Sequence, residues 1–332
     1  MYTFIIISYN EEKYILEALE SIRYQIDNYG KGRSYQLIIA DDNSMDNTKV
    51  LVDKWLLRYN ELFADVTKIY QKENVGTCKN IADAMREIKG TIFFSTAGDD
   101  LISPVDVFTV LEQNSDVDVL ANIPLMMTNG EIDSEKKKYK DALAQITYTS
   151  KYINWSVALG CPIQAGASWN KRLNTDRVLS FMEIFRLLDD RPRYYAIWRY
   201  EAPVKYKFIN VPLLIYRKNE NSVTQLKGKH HSAINKDLIS FYDTCERMEK
   251  NLLYKLCIHI QRNFVKFRVS GIIGYLRYIS PYYIVEQIRR LHYRKKSNII
   301  FEEFRNKYIN SATEYYKSIH KSAIKVGNYN GH

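Results

Sequence analysis

Three acidic pairs in this chain have residue types able to do chemistry: Asp41-Asp42, Asp99-Asp100 and Asp189-Asp190. Adjacent carboxylates repel one another, so Asp99-Asp100 is costly without a cation nearby. A hard divalent ion such as Mg²⁺ binds through one or two carboxylates plus substrate phosphates, and would neutralise a departing diphosphate. Metal binding is preferred for this pair over a solvated turn before Pro104, because two further polar clusters accompany it. In Asp41-Asp42-Asn43-Ser44, with Asp46 and Thr48 following, several residues suit a turn and a helix N-cap. An Asp ending a strand can also accept the imide N–H of a uracil or a ribose hydroxyl. That role falls to Asp41, with Asp42 as its neighbour. A carboxylate at Asp189-Asp190 can take a proton from an attacking hydroxyl, although spacing alone gives an ordinary helix end there.

The elements that must hold these pairs follow from periodicity. Tyr2–Ser8 reads as a buried strand. Glu12–Tyr24 carries Ile15, Ala18, Leu19 and Ile22 at helical spacing. Strands are expected at Gln36–Ala40, Val66–Gln71 and Ile92–Ser95. Helices are expected at Asp46–Tyr59, burying Val50, Leu51, Trp55 and Leu57, and at Thr77–Lys89, closed by Gly90. Strands separated by helices imply a largely parallel sheet with right-handed crossovers. Ligands of such sheets sit outside the carboxyl ends of the strands. Ser8-Tyr9-Asn10-Glu11, Asp41-Asp42-Asn43-Ser44 and Gly98-Asp99-Asp100 all fall at that edge. Further on, Glu131–Lys140 reads as a solvated loop or helix start, and Gln164–Asn170 and Phe208–Leu214 as strands. From about Leu226 the pattern turns helical.

Several classes are excluded by what the sequence lacks. Asn74-Val75-Gly76 is neither a dinucleotide fingerprint nor a Walker loop, and there is no GxSxG elbow or HExxH. Cys78, Cys161, Cys245 and Cys257 show no metal-ligand spacing and are expected to be reduced thiols of a cytoplasmic protein. Met1 leads straight into the first strand, and no apolar run approaches the roughly 18–20 residues that span a bilayer.

In this order, the motifs resemble the family 2 glycosyltransferases, which have the GT-A fold. The matching segments are Ile6–Ile15, Ala40–Thr48, Asn74-Val75-Gly76 with Lys79-Asn80, Gly98-Asp99-Asp100, Gln164–Ser168, Leu188–Pro192 and Tyr216–Thr224. The resemblance implies an α/β, Rossmann-like mixed sheet, mostly parallel and flanked by helices, over residues 1–225. It implies inverting transfer of a sugar from a nucleotide-sugar donor, a UDP-sugar by preference, to a glycan or lipid-linked acceptor in surface polysaccharide synthesis. It places Ser8, Tyr9 and Glu11 in the nucleotide pocket and Asp41 on the base, with Asp42 and Asp99 also on the donor side. Asp99 and Asp100 become the tail of an acidic motif holding Mg²⁺ or Mn²⁺. Asp190 becomes the catalytic base, and Arg217 a group reaching the diphosphate. Ala97 stands where the family often has a further Asp, which leaves a non-catalytic nucleotide-sugar-binding protein as the alternative.

Residues 226–332 form the second region, a basic, Tyr-rich helical extension outside those motifs. The net charge of +10 divides into −2 for residues 1–225 and +12 for residues 226–332. Leu253, Leu256, Ile260, Phe264 and Phe267 follow helical spacing with Lys255, Arg262, Lys266 and Arg268 interleaved. A second stretch from Tyr282 to Leu291 precedes Arg294-Lys295-Lys296. Such helices over residues 250–296 either lie on an anionic membrane surface, at the inner face, or pack on the catalytic region. Nucleic acid is not expected as a partner, since no RNP, helix-turn-helix or zinc-finger pattern occurs.

Overall fold

The computed structural model describes residues 1–160, 163, 168–218, 229–266 and 280–328. Gln164–Ala167, Asn219–Thr224, Leu226, Phe267, Arg268 and Cys161 lie outside the described residues. Strands β1 (Tyr2–Ser8), β2 (Tyr35–Asp41), β3 (Asp65–Tyr70) and β4 (Ile92–Ala97) alternate with helices α1 (Ile15–Tyr29), α2 (Thr48–Tyr59) and α3 (Thr77–Arg86). Then come β5 (Leu101–Ile102), α4 (Val107–Glu112), β6 (Val119–Ala121), β7 (Leu125–Thr128), β8 (Glu131–Ile132), α5 (Lys140–Ala144) and α6 (Ser150–Ser156). The catalytic-type region closes with β9 (Ser168–Asn170), α7 (Asp176–Met182), α8 (Asp190–Tyr200), β10 (Tyr206–Phe208) and β11 (Leu214–Lys218). Among the described residues four helical segments follow: α9 (Lys229–Met248), α10 (Leu252–Lys266), α11 (Pro281–Phe304) and, after a π-helical turn at Arg305–Ile309, α12 (Asn310–Gly327).

The main sheet has the order β10-β6-β9-β4-β1-β2-β3, and a smaller one the order β5-β11-β7-β8. The β4-β1-β2-β3 half is parallel, while β9 runs antiparallel to both β4 and β6. Alternate residues of a strand face opposite sides, and the core divides accordingly. Ile5, Ile38 and Ala40 pack under α3 and α8, whereas Phe4, Ile6, Leu37 and Ile39 pack under α1 and α2. β2 is buried along its whole length, as a strand covered on both faces must be. Register then fixes the chemistry. Ser8 pairs with Asp41, and Ile7 pairs with both Ala40 and Ala97, so three strand ends stop at one level.

Several local expectations need correction. On α2 the buried side is Thr48, Val52, Trp55 and Leu56, while Val50 and Leu57 are exposed. The Trp55 indole reaches the buried Glu20 carboxylate at 2.7 Å, and this sets the face. The strand expected at Phe208–Leu214 is two strands, β10 ending where it was to begin and β11 beginning where it was to end. Gly90 does not cap α3, which ends at Arg86. A Cβ at Gly90 would come within 2.5 Å of the Met1 carbonyl, so glycine serves a close backbone approach instead.

The last third packs into the same cores. α12 lies along α1, with Ala323 and Val326 joining the residues under that helix, and Lys54 Nζ bonds the Gly327 carbonyl at 2.7 Å. Phe301, Phe304, Tyr308, Ala312, Tyr315 and Ile319 complete the core of the small sheet. Phe241, Tyr242 and Cys245 of α9 and Ile258 of α10 enter the core under α8. The stripe expected on α10 is divided: Leu253 and Leu256 are exposed, and Ile260 and Phe264 are half-buried.

Candidate active site

Two residues beyond the ends of β1 and β2 stands an Asn with positive φ, Asn10 at 56° and Asn43 at 61°. Asn tolerates this left-handed conformation better than most residues, and both chains turn sharply over the sheet edge. Asp41 is fully buried at the turn. Its carboxylate accepts Ser8 Oγ at 2.9 Å, the Ser44 backbone N–H at 2.7 Å and Ser44 Oγ at 2.5 Å. Ser44 Oγ in turn accepts the Asn10 N–H at 2.8 Å, and Asn10 Oδ1 accepts the Met45 N–H at 2.9 Å. The two loops therefore hold each other, and Tyr9 stands at their rim, 47% exposed.

Asp42 serves the next loop. Its carboxylate accepts the backbone N–H of Val75 at 2.6 Å and of Gly76 at 3.0 Å. Burial raises its pKa, and these two donors oppose the shift. Gly76 has φ +92°, and a Cβ there would meet Arg186 Cγ at 2.5 Å, so only glycine fits. Arg186 grips the same loop, its Nη2 donating to the Asn74 carbonyl at 2.8 Å and to Asn74 Oδ1 at 2.6 Å.

Asp99 and Asp100 follow β4. Asp100 is buried, and its Oδ1 accepts the Arg217 backbone N–H at 2.8 Å. Burial and the Asp99 charge push its carboxyl well above the ordinary range, with Glu11 adding to the rise. Glu11 is itself raised to about 8 by burial and by the charges of Asp99 and Asp46. Gly98 lets Glu11 approach, since a Cβ would meet Glu11 Cβ at 3.3 Å. Three carboxylates thus crowd one corner. Among the described residues no three His, Cys, Asp or Glu side chains converge on a single point as a complete metal cage. The donor set instead fits a hard divalent cation held by one or two carboxylates and completed by phosphate oxygens.

Arg217, expected to reach the diphosphate, instead has its guanidinium buried against Glu17 and the Asp99 carbonyl, where it supports this corner. Its guanidinium is 5% exposed, paired with Glu17, and stacked 4.3 Å from the Tyr14 ring. Its Nε donates to the Asp99 carbonyl at 2.7 Å. His320 Nδ1 lies 2.6 Å from Glu17 Oε1, so α12 completes the arrangement. Nothing local in the sequence signals Tyr14, at the start of α1, or the pairing of Glu17 with His320, which lie on two helices 303 positions apart.

Asp190 opens α8. The residue is exposed, but desolvation around its carboxyl, followed by the Asp189 charge, raises its pKa to about 7. Arg193 and Arg191 oppose that rise. Burial also raises Asp189. The pair is tied to the other loops. The Arg186 carbonyl accepts the Cys78 N–H at 3.1 Å, the Cys78 thiol is raised chiefly by burial and further by Asp189 and Asp190, and the Arg193 guanidinium sits 5.5 Å from the Phe93 ring of β4. A continuous set of contacts therefore joins Asp41-Asp42, through the Asn74–Gly76 loop and Arg186, to Asp189-Asp190. Beyond Arg191 a cavity of about 390 Å³ is lined by Tyr148, Leu159, Arg191, Tyr242, Tyr282 and Arg290.

The Rossmann-like sheet with acidic loops at its carboxyl edge has the architecture of the GT-A fold. The chain belongs to glycosyl transferase family 2, whose model matches residues 3–167. An uncharacterised protein of Mycobacterium tuberculosis is 33% identical over 94 residues, 28% of this chain and 25% of that protein. A teichoic acid poly(glycerol phosphate) polymerase of Staphylococcus epidermidis is 30% identical over 118 residues, 36% of this chain and 15% of the polymerase. The chain thus spans a quarter or less of the length of these curated relatives. Among solved structures, S. aureus TarS 1–349 in complex with UDP-GlcNAc superposes with a TM-score of 0.56 at 16% identity, covering 96% of this chain and 91% of that one. The mannosyltransferase PcManGT of Pyrobaculum calidifontis, in complex with GDP-Man and Mn²⁺, has a TM-score of 0.53 at 16% identity, covering 98% and 85%. Both likenesses concern the fold.

Proposed function

We propose that this protein is an inverting glycosyltransferase that moves a sugar from a UDP-sugar to a glycan or lipid-linked acceptor in surface polysaccharide synthesis. The observation that carries the reading is the alignment of β1, β2 and β4. It brings Ser8, Glu11, Asp41 and Asp99-Asp100 to one edge, with Asp190 joined to them through the Asn74–Gly76 loop. The UDP-GlcNAc and GDP-Man complexes of similarly folded proteins, and the teichoic acid polymerase match, support the donor class and the setting.

In this mechanism Asp41, Ser8 and Tyr9 receive the nucleoside. The acceptor approaches through the cavity beyond Arg191, where tyrosine rings and hydroxyls suit a sugar or polyol. Asp190 takes the acceptor hydroxyl proton as that oxygen bonds to the anomeric carbon. The bond from that carbon to the diphosphate oxygen breaks, and the configuration inverts. Asp99 and Asp100 would hold Mg²⁺ or Mn²⁺, which when bound supplies positive charge opposite the diphosphate. Arg217 orders the Asp99-Asp100 turn from the side away from the ligand. Much of the acceleration in such a site comes from orientation and preorganised electrostatics.

A panel of sugar nucleotides with Mn²⁺ tests the reading by thermal shift and by release of nucleoside diphosphate. A UDP-sugar is expected to raise the melting temperature and to be turned over. No shift with any donor defeats the proposal. Ala97 favours one competing reading, a nucleotide-sugar binder without turnover, which a shift without release across many acceptors would select.

Two surfaces support peripheral attachment to an anionic membrane at its inner face. Leu252, Leu253 and Leu256 of α10 are exposed, as are Ile284, Ile288 and Leu291 along one face of α11, beside Arg294-Lys295-Lys296. Among the described residues no helix is long and apolar enough to cross a membrane. Salt-sensitive retention on anionic vesicles, lost with Ile288→Ser and Leu291→Ser together, is the expected result. Equal retention of the variant, or none by the parent chain, removes the membrane proposal.

A further inference from the structure

Helix α9 lies outside the family motifs, yet one face of it grips the segment that carries Asp189-Asp190. Residues 186–188 fall between α7 and α8 and belong to neither helix. Their three consecutive backbone N–H groups converge on one oxygen, Asp237 Oδ2, which accepts from Arg186 at 3.0 Å, Leu187 at 2.5 Å and Leu188 at 3.2 Å. Successive N–H groups aimed at one point form an anion-binding concavity, and here a side chain of the same protein fills it.

Four residues on, Phe241 shares the helix face with Asp237. It is fully buried against Phe185 at 5.9 Å and Tyr195 at 5.8 Å, one ring on each side of the acidic pair. The Tyr242 hydroxyl accepts Arg191 Nη1 at 2.7 Å and lies 3.3 Å from the Leu159 carbonyl. Asp189-Asp190 are therefore bracketed, with Asp237 holding the three residues before them and Phe241 and Tyr242 holding groups on either side. The opposite surface of the segment faces the donor side, where Arg186 bonds Asn74 and the Cys78 N–H.

We propose that Asp237 is a positioning residue: its carboxylate closes the concavity at 186–188 and so fixes where the Asp190 carboxylate stands relative to the Asn74–Gly76 loop. This rests on the assignment of Asp190 as base made above. Without an acceptor the three N–H groups must find water, which costs free energy at a partly buried site, and the segment relaxes. Displacing a reacting group by about 1 Å can cost about 100-fold in rate. The basic extension thereby becomes part of the catalytic machinery through one acidic side chain.

The test compares the full chain with Asp237→Ala, Asp237→Asn and Asp190→Asn. Three quantities are read: hydrogen exchange of amides 186–188, thermal shift with a UDP-sugar and Mn²⁺, and kcat for release of nucleoside diphosphate. Asp237→Ala is expected to exchange these amides at least about tenfold faster and to lose about 100-fold in kcat, with donor affinity retained. Asp237→Asn keeps the shape and one acceptor oxygen and is expected to recover part of both. Unchanged exchange at 186–188 overturns the proposal, and so does a parallel loss of donor affinity and kcat. If the alanine variant does not fold, the asparagine variant decides, and parent-like exchange and kcat there overturn the proposal equally. An active Asp190→Asn sinks the base assignment and with it the catalytic part of this inference. An inactive Asp190→Asn beside a fully active Asp237→Ala sinks the positioning role alone.

Discussion

Replacing Asp190 by Asn removes one oxygen's charge while keeping the side chain's shape, and the structure sets the size and pH dependence of the outcome. The Asp190 carboxyl is raised from an ordinary 3.8 to about 7, by burial first and by the Asp189 charge second. A base must be deprotonated to act, so turnover by the parent protein is expected to rise with pH through about 7 and then level. Below that point the basic fraction falls about tenfold per pH unit, giving about a 100-fold deficit at pH 5 relative to the plateau. Asp190→Asn is expected to lose about 10²–10⁴-fold at the plateau, the ordinary contribution of a positioned base. Asp189→Asn removes the second cause of the rise, so its acid limb is expected to move about one unit lower. Stability runs the other way. A carboxyl whose pKa is raised on folding stabilises the protein below the ordinary Asp range and loses that contribution as pH climbs through about 7. Asp190→Asn is therefore expected to melt slightly higher than the parent at pH 8 and alike at pH 4. The assay is release of nucleoside diphosphate from the best donor between pH 5 and 9, with thermal melts in the same buffers. An Asp190→Asn variant with parent-like turnover refutes the reasoning, as does a parent acid limb near pH 4.

Asp100→Asn removes half of the acidic turn, so donor binding is expected to lose its Mn²⁺ dependence in a calorimetric titration, whereas an unchanged metal titration argues against Asp100 as a ligand. Arg217→Ala leaves Glu17 buried without its guanidinium, which is expected to cost about 3–5 kcal/mol in urea unfolding, and a loss below about 1 kcal/mol would mean that the pair is solvated. Gly76→Ala forces a side chain into a backbone conformation near φ +92° and against Arg186, with an expected cost of about 1–3 kcal/mol by the same measurement and weaker donor binding. Asp42→Ala deprives the Val75 and Gly76 N–H groups of their acceptor, and donor affinity is expected to fall more than kcat, whereas a fall in kcat alone would place Asp42 outside the donor loop.

The sequence by itself determined the strands and helices of the first hundred residues, because hydrophobic periodicity is a local quantity. It also determined that Ser8, Asp41 and Asp99-Asp100 would share an edge, because parallel strands in a crossover fold all end on one side. Contacts made across long stretches of chain were decided only in the tertiary structure. Which side of α2 is buried followed from Trp55 meeting Glu20, not from the pattern of apolar residues that suggested Val50 and Leu57. The surroundings of Arg217 depend on Glu17, Tyr14 and His320, and the setting of Asp189-Asp190 depends on Asp237, Phe241 and Tyr242 of a helix beyond the family motifs. Such pairings have no local signature, since a carboxylate on a helix looks the same in sequence whether it meets water or three backbone N–H groups. Periodicity records which face of an element is apolar, and only the folded chain decides what that face meets.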